Sequence, residues 1–426
     1  MRFMLSLACV LSTFALFGTA QQTNPKAPDE KPNIAWEPEF DAALAKAKQE
    51  GRPLLIAFLM DGEPANEETS EKIYTNLELI KLSRKFVCVP CCAGDKTEKD
   101  GKSARFAGVT IAQQNANEKK ARARYLKSDV VCTPQHVFCD PKGTELLRKI
   151  YYVSTQQLKK AMALALVGSV KEIDPETRAV VQDEKAKVDK LLKDLDSKNL
   201  EVRDAALSGL GTADDARALP AVLGKAKAGN DDATRSSAIK ALGHKGNHTA
   251  VKPLLPFLAD PRAPIVIQVA QTLGVIQIPD AEPDLLSLLK KEKRDRVRST
   301  LLRAVAKCNP GNPKLAELCL ATLKGASAQM QAATIVAMGF LKPDTKVTDA
   351  LRPLLADKNQ NMRALGAWAL GNQGGAANAE LLDKLAKDDK APEVRELATK
   401  ASKQCRGERV NDYENLYVMF FFDYEN

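Results

Sequence analysis

Residues 202–211 read Val202-Arg203-Asp204-Ala205-Ala206-Leu207-Ser208-Gly209-Leu210-Gly211, and variants of this phrase return through the rest of the chain. Later copies begin at Thr234, Ile265, Val297, Met330, Met362 and Val394, in steps of 32, 31, 32, 33, 32 and 32 residues. The second position is arginine at Arg203, Arg235, Arg298, Arg363 and Arg395, and the phrase closes on glycine at Gly211, Gly243, Gly274, Gly339 and Gly371. Self-similarity at this period marks a solenoid, in which a unit too small to bury its own apolar face stacks on copies of itself. Leucine clusters precede the phrases: Leu191-Leu192-Leu195, Leu254-Leu255-Leu258, Leu285-Leu286-Leu289 and Leu351-Leu354-Leu355. Each unit therefore reads as two antiparallel helices, with glycine closing the second in a left-handed conformation and letting the next unit approach. The last copy ends Ser402-Lys403 instead of Leu-Gly, as a capping unit should. So long a surface points to binding before catalysis.

These units resemble the short bacterial HEAT-like repeats, over residues 186–405 and about seven repeats. In such repeats, acid–arginine pairs staple adjacent turns. The resemblance implies that Asp196, Asp231, Asp357 and Asp389 hold Arg203, Arg235, Arg363 and Arg395 in this way. Arg203, Arg235, Arg298, Arg363 and Arg395 would then be a structural ladder; the alternative is a basic ladder for an acidic ligand. The last two histidines, His244 and His248, share one inter-repeat loop and read as solvated.

Upstream the pattern changes. Residues 38–50 carry Phe40, Ala43, Leu44 and Ala47 on one helical face, and Gly51-Arg52-Pro53 stops that helix. Leu54–Leu59 is an uninterrupted apolar run, as a central strand buried on both faces requires. A helix within 65–84, a strand at Phe86–Cys91, a polar loop at 93–106 and a helix at Asn115–Leu126 follow. Strands at Gln135–Asp140 and Glu145–Tyr152 flank the turn Pro141-Lys142-Gly143, and Thr155–Val167 is a closing helix. Trp36, Pro53, Thr133-Pro134 and the Asp140–Gly143 hairpin fall in this order. Over residues 34–168 the chain thus resembles the thioredoxin-like fold. The resemblance implies a cis Pro134, with Thr133 and Pro134 lining an edge that pairs with extended peptides. The overall expectation is an α/β thioredoxin-like domain followed by an all-α HEAT-like solenoid, joined by a charged link at 169–185.

One departure is decisive for chemistry. Active thioredoxins place C-x-x-C at the start of the helix after the central strand, where the helix dipole lowers a thiol pKa. Here residues 61–66 are Asp61-Gly62-Glu63-Pro64-Ala65-Asn66, without a thiol. Glu63 reads as a helix cap, or else as a ligand contact. The remaining cysteines (Cys88, Cys91, Cys92, Cys132, Cys139, Cys308, Cys319 and Cys405) have no cystine-scaffold spacing. Those in strands read first as small hydrophobes. The alternative is thiol–disulfide chemistry at Cys91, Cys92 or Cys132, with Cys132 the best placed; a metal site is a third and weaker reading, and none is expected. In the thioredoxin order Cys91 and Cys132 stand across the central strand, ~10 Å apart at two interstrand spacings, too far for a disulfide. Cys308 and Cys319 could meet across a repeat junction or remain separate thiols.

Residues 1–20 read as a secretory signal: Arg2, an apolar Phe3–Phe17 stretch, then Gly18-Thr19-Ala20. Residues 21–33, with Pro25, Pro28 and Pro32, read as a linker. Export to the periplasm or outside the cell is expected, with no other stretch able to span a bilayer. The charge of +9 is spread as 23 Lys and Arg against 19 Asp and Glu in residues 21–170, and 39 against 35 beyond. Interspersed signs argue against nucleic acid. The tail, 406–426, holds Tyr413, Tyr417, Phe420, Phe421, Phe422 and Tyr424, and Leu416–Phe422 has the β-propensity of an aggregation-prone strand. It reads as a cover over the solenoid's apolar end at Leu381, Leu382 and Leu385, as a partner-binding segment, or as an extension without a role.

These readings give an exported scaffold that binds a protein partner through its repeats, with a redox-inactive thioredoxin-like domain and no cofactor. The alternative is a thiol-dependent oxidoreductase. Pigment attachment, known among some short HEAT-like repeat proteins, has only the repeats in its favour. A charged link as the sole connection implies two halves that unfold separately.

Overall fold

A computed structural model describes residues 33–94, 98–99, 102–103, 106–126, 132–151, 153–170, 172–408 and 410–421. The expected signal at 1–20 and linker residues 21–32 lie outside this set, as do Phe422 and Tyr424.

The first unit is a three-layer α/β/α body. In chain order it contains α1 (Phe40–Glu50), β1 (Leu54–Met60), α2 (Pro64–Glu68), α3 (Leu77–Ser83), β2 (Val87–Ala93), a two-residue ladder of β3 (Glu98–Lys99) and β4 (Lys102–Ser103), α4 (Ile111–Ala121), β5 (Gln135–Cys139), β6 (Glu145–Ile150) and α5 (Thr155–Ser169). The main sheet runs β2-β1-β5-β6, with β1 parallel to β2 and antiparallel to β5. Strand β1 is buried from Leu54 to Leu59, and its alternating side chains feed two cores. Leu55, Ala57 and Leu59 meet Trp36, Leu79, Leu158 and Met162; Leu54, Ile56 and Phe58 meet Phe40, Ala43 and Ala47. The Thr133–Pro134 peptide bond is cis.

Seven helix pairs follow: α6 (Pro175–Asp194) with α7 (Leu200–Gly211), α8 (Ala218–Ala226) with α9 (Asp232–Ala241), α10 (His248–Leu254) with α11 (Ala263–Ile276), α12 (Glu282–Lys291) with α13 (Asp295–Cys308), α14 (Pro313–Leu323) with α15 (Ala328–Phe340), α16 (Thr345–Leu351) with α17 (Gln360–Gln373), and α18 (Ala376–Asp388) with α19 (Pro392–Cys405). Helices α10 and α16 tighten into 3₁₀ turns at Leu255–Ala259 and Arg352–Ala356, where Pro256 and Pro353 remove a backbone donor. One continuous apolar core runs from Val188 to Phe421.

Of the two roles expected of the repeat glycines, only the close approach is seen. None of Gly211, Gly243, Gly274, Gly339 and Gly371 has positive φ. Their missing Cβ instead makes room for the next unit. A Cβ on Gly211 would overlap the Ala241 carbonyl, and one on Gly274 would lie 3.2 Å from Ala304 Cα. Close approach between second helices, not left-handed capping, is what the position demands.

The charged link is also not a link. Asp174 caps α6 through the Thr177 amide at 3.0 Å, Pro175 takes the first turn, and the helix runs through 185 as the first helix of the first repeat. Helix α6 packs on α5, reinforced by the Lys160–Glu184 and Lys85–Asp174 ion pairs. A second seam forms at the end of β6. Ile150 is part of the solenoid's own core, and Lys149 pairs with Asp214. The loop before α10 seats on it through Gly246, whose φ is 82° and whose missing Cβ would lie 2.9 Å from the Ile150 carbonyl carbon. The halves therefore share buried surface, which opposes the expectation of separate unfolding.

Candidate interaction surface

The peptide-pairing edge that the resemblance implies, at Thr133-Pro134, is closed. Both residues are buried. Asn66, wholly buried at the start of α2, donates from Nδ2 to Glu63 Oε2 at 2.8 Å and to Thr133 Oγ1 at 3.2 Å. Glu63 thus braces Asn66; its side chain makes no capping bond to α2. Next to Thr133, Cys132 Sγ lies 3.9 Å from the Gln277 carbonyl, which also accepts from Tyr151 Oη at 3.0 Å. The loop after α11 thus meets Cys132, the residue before Thr133. Thr133 and Pro134 are accordingly buried in this conformation rather than an open site.

The candidate thiols are poorly suited to attack. None of the eight cysteines among the described residues is joined in a disulfide. Phe58 pairs with Cys91 on one side and Gln135 on the other, so β1 separates Cys91 and Cys92 from the Cys132 loop. Burial pushes the Cys91 thiol well up. Burial also raises Cys132, outweighing the Tyr151 hydroxyl that donates to it at 3.5 Å and the nearby Lys245. Cys92 Sγ lies 3.7 Å from Asp61 Oδ1, a neighbour that does not favour a thiolate. Burial lifts Cys88, Cys139, Cys308 and Cys319 to about 12 and Cys405 to about 11. Cys308 contacts the Leu273 carbonyl at 3.5 Å and is not joined to Cys319. Cysteines 91, 92 and 132 form no constellation.

The arginines are staples, but across a different gap. Arg235 is 1% exposed and reaches forward to Asp260, in the turn of the next repeat, at 2.5 Å; its Nε donates to the Ala226 carbonyl at 2.8 Å. Arg363 likewise reaches forward, gripping Asp389 with Nε at 2.6 Å and Nη2 at 2.8 Å. The Arg363 hydrogen bond holds the Asp389 carboxyl below its ordinary range. Arg395 donates to the Asp389 carbonyl at 2.7 Å, while Arg298 pairs with Asp295 at 3.3 Å. Asp196 instead pairs with Lys225 at 2.8 Å, and Asp231 caps α9 through the Thr234 amide at 2.8 Å. Asp196 and Asp231 are thus engaged elsewhere, whereas Arg363 and Arg395 do meet the turn before them, at the backbone carbonyls of Asp357 and Asp389 at 2.9 and 2.7 Å. Arg203 sits near Asp231, whose carboxyl it helps lower after the Thr234 bonds. Arg235 and Arg363 thus turn their guanidinium groups toward the next repeat, while Arg298 keeps a side chain that is 34% exposed.

His244 and His248 are half-buried at the β6 seam rather than solvated. Burial, with Lys149 beside His244 and Arg148 beside His248, depresses both pKa values.

The tail lies in an aromatic groove of the solenoid. Instead of a strand it forms a 3₁₀ turn at Tyr413–Asn415 and the short helix α20 (Val418–Phe421). It does not cover α18: Leu382 is buried within its own repeat, while Leu381 stays 39% exposed and lines, with Leu385, an open cleft of about 860 Å³. It lies instead across α13, α15 and α17. Trp368 Nε1 donates to the Tyr413 carbonyl and Tyr413 Oη to the Trp368 carbonyl, both at 2.9 Å. Phe340 meets Tyr417 edge-on at 5.7 Å, and Arg303 stacks on Phe421 at 4.3 Å. Glu414 lies 3.7 Å from Lys307 Nζ and accepts from Gln277 Nε2 at 3.1 Å. Gly339 leaves space for the Trp368 ring, and Gly371 leaves space for the Tyr413 hydroxyl. A signal for this groove was present. Residues 175–405 contain three aromatics, Phe257, Phe340 and Trp368, and the last two face an aromatic-rich tail. The seam residues Tyr151, Gly246 and Gln277 carried no comparable signal.

Among the described residues, no helix is long and apolar enough to cross a membrane. The chain is similar to several solved structures, all at low identity and low TM-score. The complex of CpcE and CpcF of phycocyanin lyase from Nostoc sp. is 22% identical, covering 56% of this chain and 94% of that one with a TM-score of 0.39. An archaeal HEAT-like repeats protein from Thermococcus onnurineus is 16% identical, covering 53% and 97% with a TM-score of 0.35. Human deoxyhypusine hydroxylase is 18% identical, covering 59% and 99% with a TM-score of 0.27. No curated protein matches the chain. The family model for HEAT repeats matches residues 188–274 and 315–403. The solenoid of this chain is therefore built, over those two stretches, of HEAT repeats.

Proposed function

We propose that this is an exported scaffold that holds a protein partner on its HEAT repeats, carrying a thioredoxin-like domain without redox activity as a fixed companion. The observation that carries the reading is the stack itself: seven helix pairs on one continuous core, with long helical edges left to solvent. Such quasi-one-dimensional bodies present extended surfaces and little enclosed volume for chemistry. The thioredoxin-like part of the reading is supported by the strand order β2-β1-β5-β6, by Thr133-Pro134 entering β5, and by the unit's α/β/α layering. Redox inactivity is supported by the lack of a thiol at residues 61–66 and by the raised pKa of Cys91 and Cys132. Export rests on residues 1–20 alone.

The test uses the purified full chain as bait in the exported fraction of its source. A stoichiometric partner whose retention falls when the exposed repeat edge is changed, for example at Lys358 and Lys384, supports the scaffold. Retention of nothing specific, together with disulfide reductase turnover matching a thioredoxin, would replace it with the enzyme reading.

A further inference from the structure

We propose that the loop 243–248 is a pH-sensitive latch between the α/β unit and the repeats: taking up protons at His244 and His248 unseats it from the end of β6. The device goes beyond the scaffold reading and holds whether or not the repeats carry a partner.

The chain has three histidines, and two of them stand on either side of the glycine that seats this loop. Gly246 fits against Ile150 because it lacks a Cβ, which would overlap the Ile150 carbonyl. Its amide donates to the Ile276 carbonyl at 3.0 Å. His244 and His248 are half-buried beside it, and His244 Nδ1 is enclosed without a hydrogen-bond partner. A proton on that nitrogen would meet no acceptor, and the charge it brings would be partly cut off from water.

The neighbours decide the sign. Strand β6 brings Lys149 beside His244, and Arg148 with Lys149 beside His248. Both cations are pinned. Lys149 is paired with Asp214; Arg148 donates to Glu145 Oε1 at 2.9 Å, Gln135 Oε1 at 2.8 Å and the Tyr125 carbonyl at 2.9 Å. The acids that face the histidines are Asp214, from the turn before α8, and Glu145, from β6. Each already has its own cation. The Gly246 carbonyl also favours charge on His248, whereas Lys245, at 4.8 Å over the Tyr151 ring, adds another positive charge to the loop. Asp280 and Glu63 act further along the seam, on Cys132 and Tyr151.

Burial first, and like charge second, therefore keep both rings neutral while the latch is closed. Once the loop lifts, both meet water and titrate near the ordinary value of about 6.5. Closure is thus fully favoured above about pH 6.5 and is lost as pH falls below it, by up to about tenfold per pH unit for each histidine.

The test uses the full chain and hydrogen exchange read by mass spectrometry at pH 7.5 and 5.5, with labelling times scaled for intrinsic exchange. Peptides spanning 145–151 and 243–248 should open at least about fivefold more often at pH 5.5, while those of α15 and α17 keep their protection. His244→Gln/His248→Gln, whose amides take up no proton, should lose this response. Lys149→Gln should flatten it, because Asp214 without its lysine can pair with a protonated His244. That second variant keeps both histidines, so misfolding of the first leaves a working test. An undiminished response in either folded variant overturns the proposal, as does a wild-type seam that ignores pH. Loss of protection in the seam and in α15 and α17 together also overturns it, since that is global acid unfolding driven from His136.

Discussion

Replacing Gly246 by alanine is expected to loosen the seam between the α/β unit and the repeats. Gly246 has φ 82°, where an L-residue costs ~1–2 kcal/mol. Its new Cβ would lie 2.9 Å from the Ile150 carbonyl carbon and 3.0 Å from Ile150 Cβ, and would overlap the carbonyl oxygen. Relief requires moving backbone, an overpacking cost of ~1–3 kcal/mol. The two contributions add to ~2–5 kcal/mol, so opening of the seam should become at least ~30-fold more frequent. Hydrogen exchange read by mass spectrometry on peptides spanning 145–151 and 243–248 measures this. Gly224→Ala is the control: it is exposed within α8 with nothing within 4 Å of the new Cβ, so it should gain roughly 0.5–1 kcal/mol. Unchanged seam protection in Gly246→Ala, with Gly224→Ala behaving alike, would refute the claim that this loop is seated on β6.

Asp260→Ala strands the buried Arg235 guanidinium and should cost ~3–5 kcal/mol, whereas Arg298→Ala, part-exposed and loosely paired, should cost at most ~1 kcal/mol; urea midpoints rank them. Stability should fall on acidification below neutrality. His136 is buried against the Tyr74 hydroxyl at 2.7 Å, and burial lowers its pKa to about 4. The unfolded chain binds that proton near pH 6.5 and the folded chain does not, so stability present above 6.5 is lost as pH falls toward 4, by roughly 3 kcal/mol. His244 and His248 shift in the same direction and add to the slope; melting temperatures that are flat between pH 7.5 and 5 would contradict this. The native protein should reduce insulin disulfides negligibly and expose thiols to an aromatic disulfide reagent mainly on unfolding, with Cys132→Ser changing neither result.

The repeats were legible in the sequence because helix pairing is written locally: apolar residues at helical spacing and a period near 32 residues require stacked pairs wherever the chain folds. Strand order at β1, β2, β5 and β6 was legible for a related reason, since a run such as Leu54–Leu59 can be satisfied only between two other strands with helices on both faces. The roles of particular side chains were not legible, because they depend on how far each repeat is turned against the next. Asp231 and Asp260 are both turn aspartates, yet one caps its own helix and the other neutralises Arg235 from the following repeat. Asp231 stands three residues before its phrase and Asp260 five, a difference whose meaning only the stacking of the repeats shows. The same holds for the seam and the tail. Tyr151 meets the carbonyl of Gln277, and Trp368 exchanges hydrogen bonds with Tyr413, across separations that no local pattern encodes. The aromatics of the tail announced that something would be covered. That the covered surface is the floor of α15 and α17, and not the end of the solenoid, was decided by Gly339 and Gly371, which leave space there for the Trp368 ring and the Tyr413 hydroxyl.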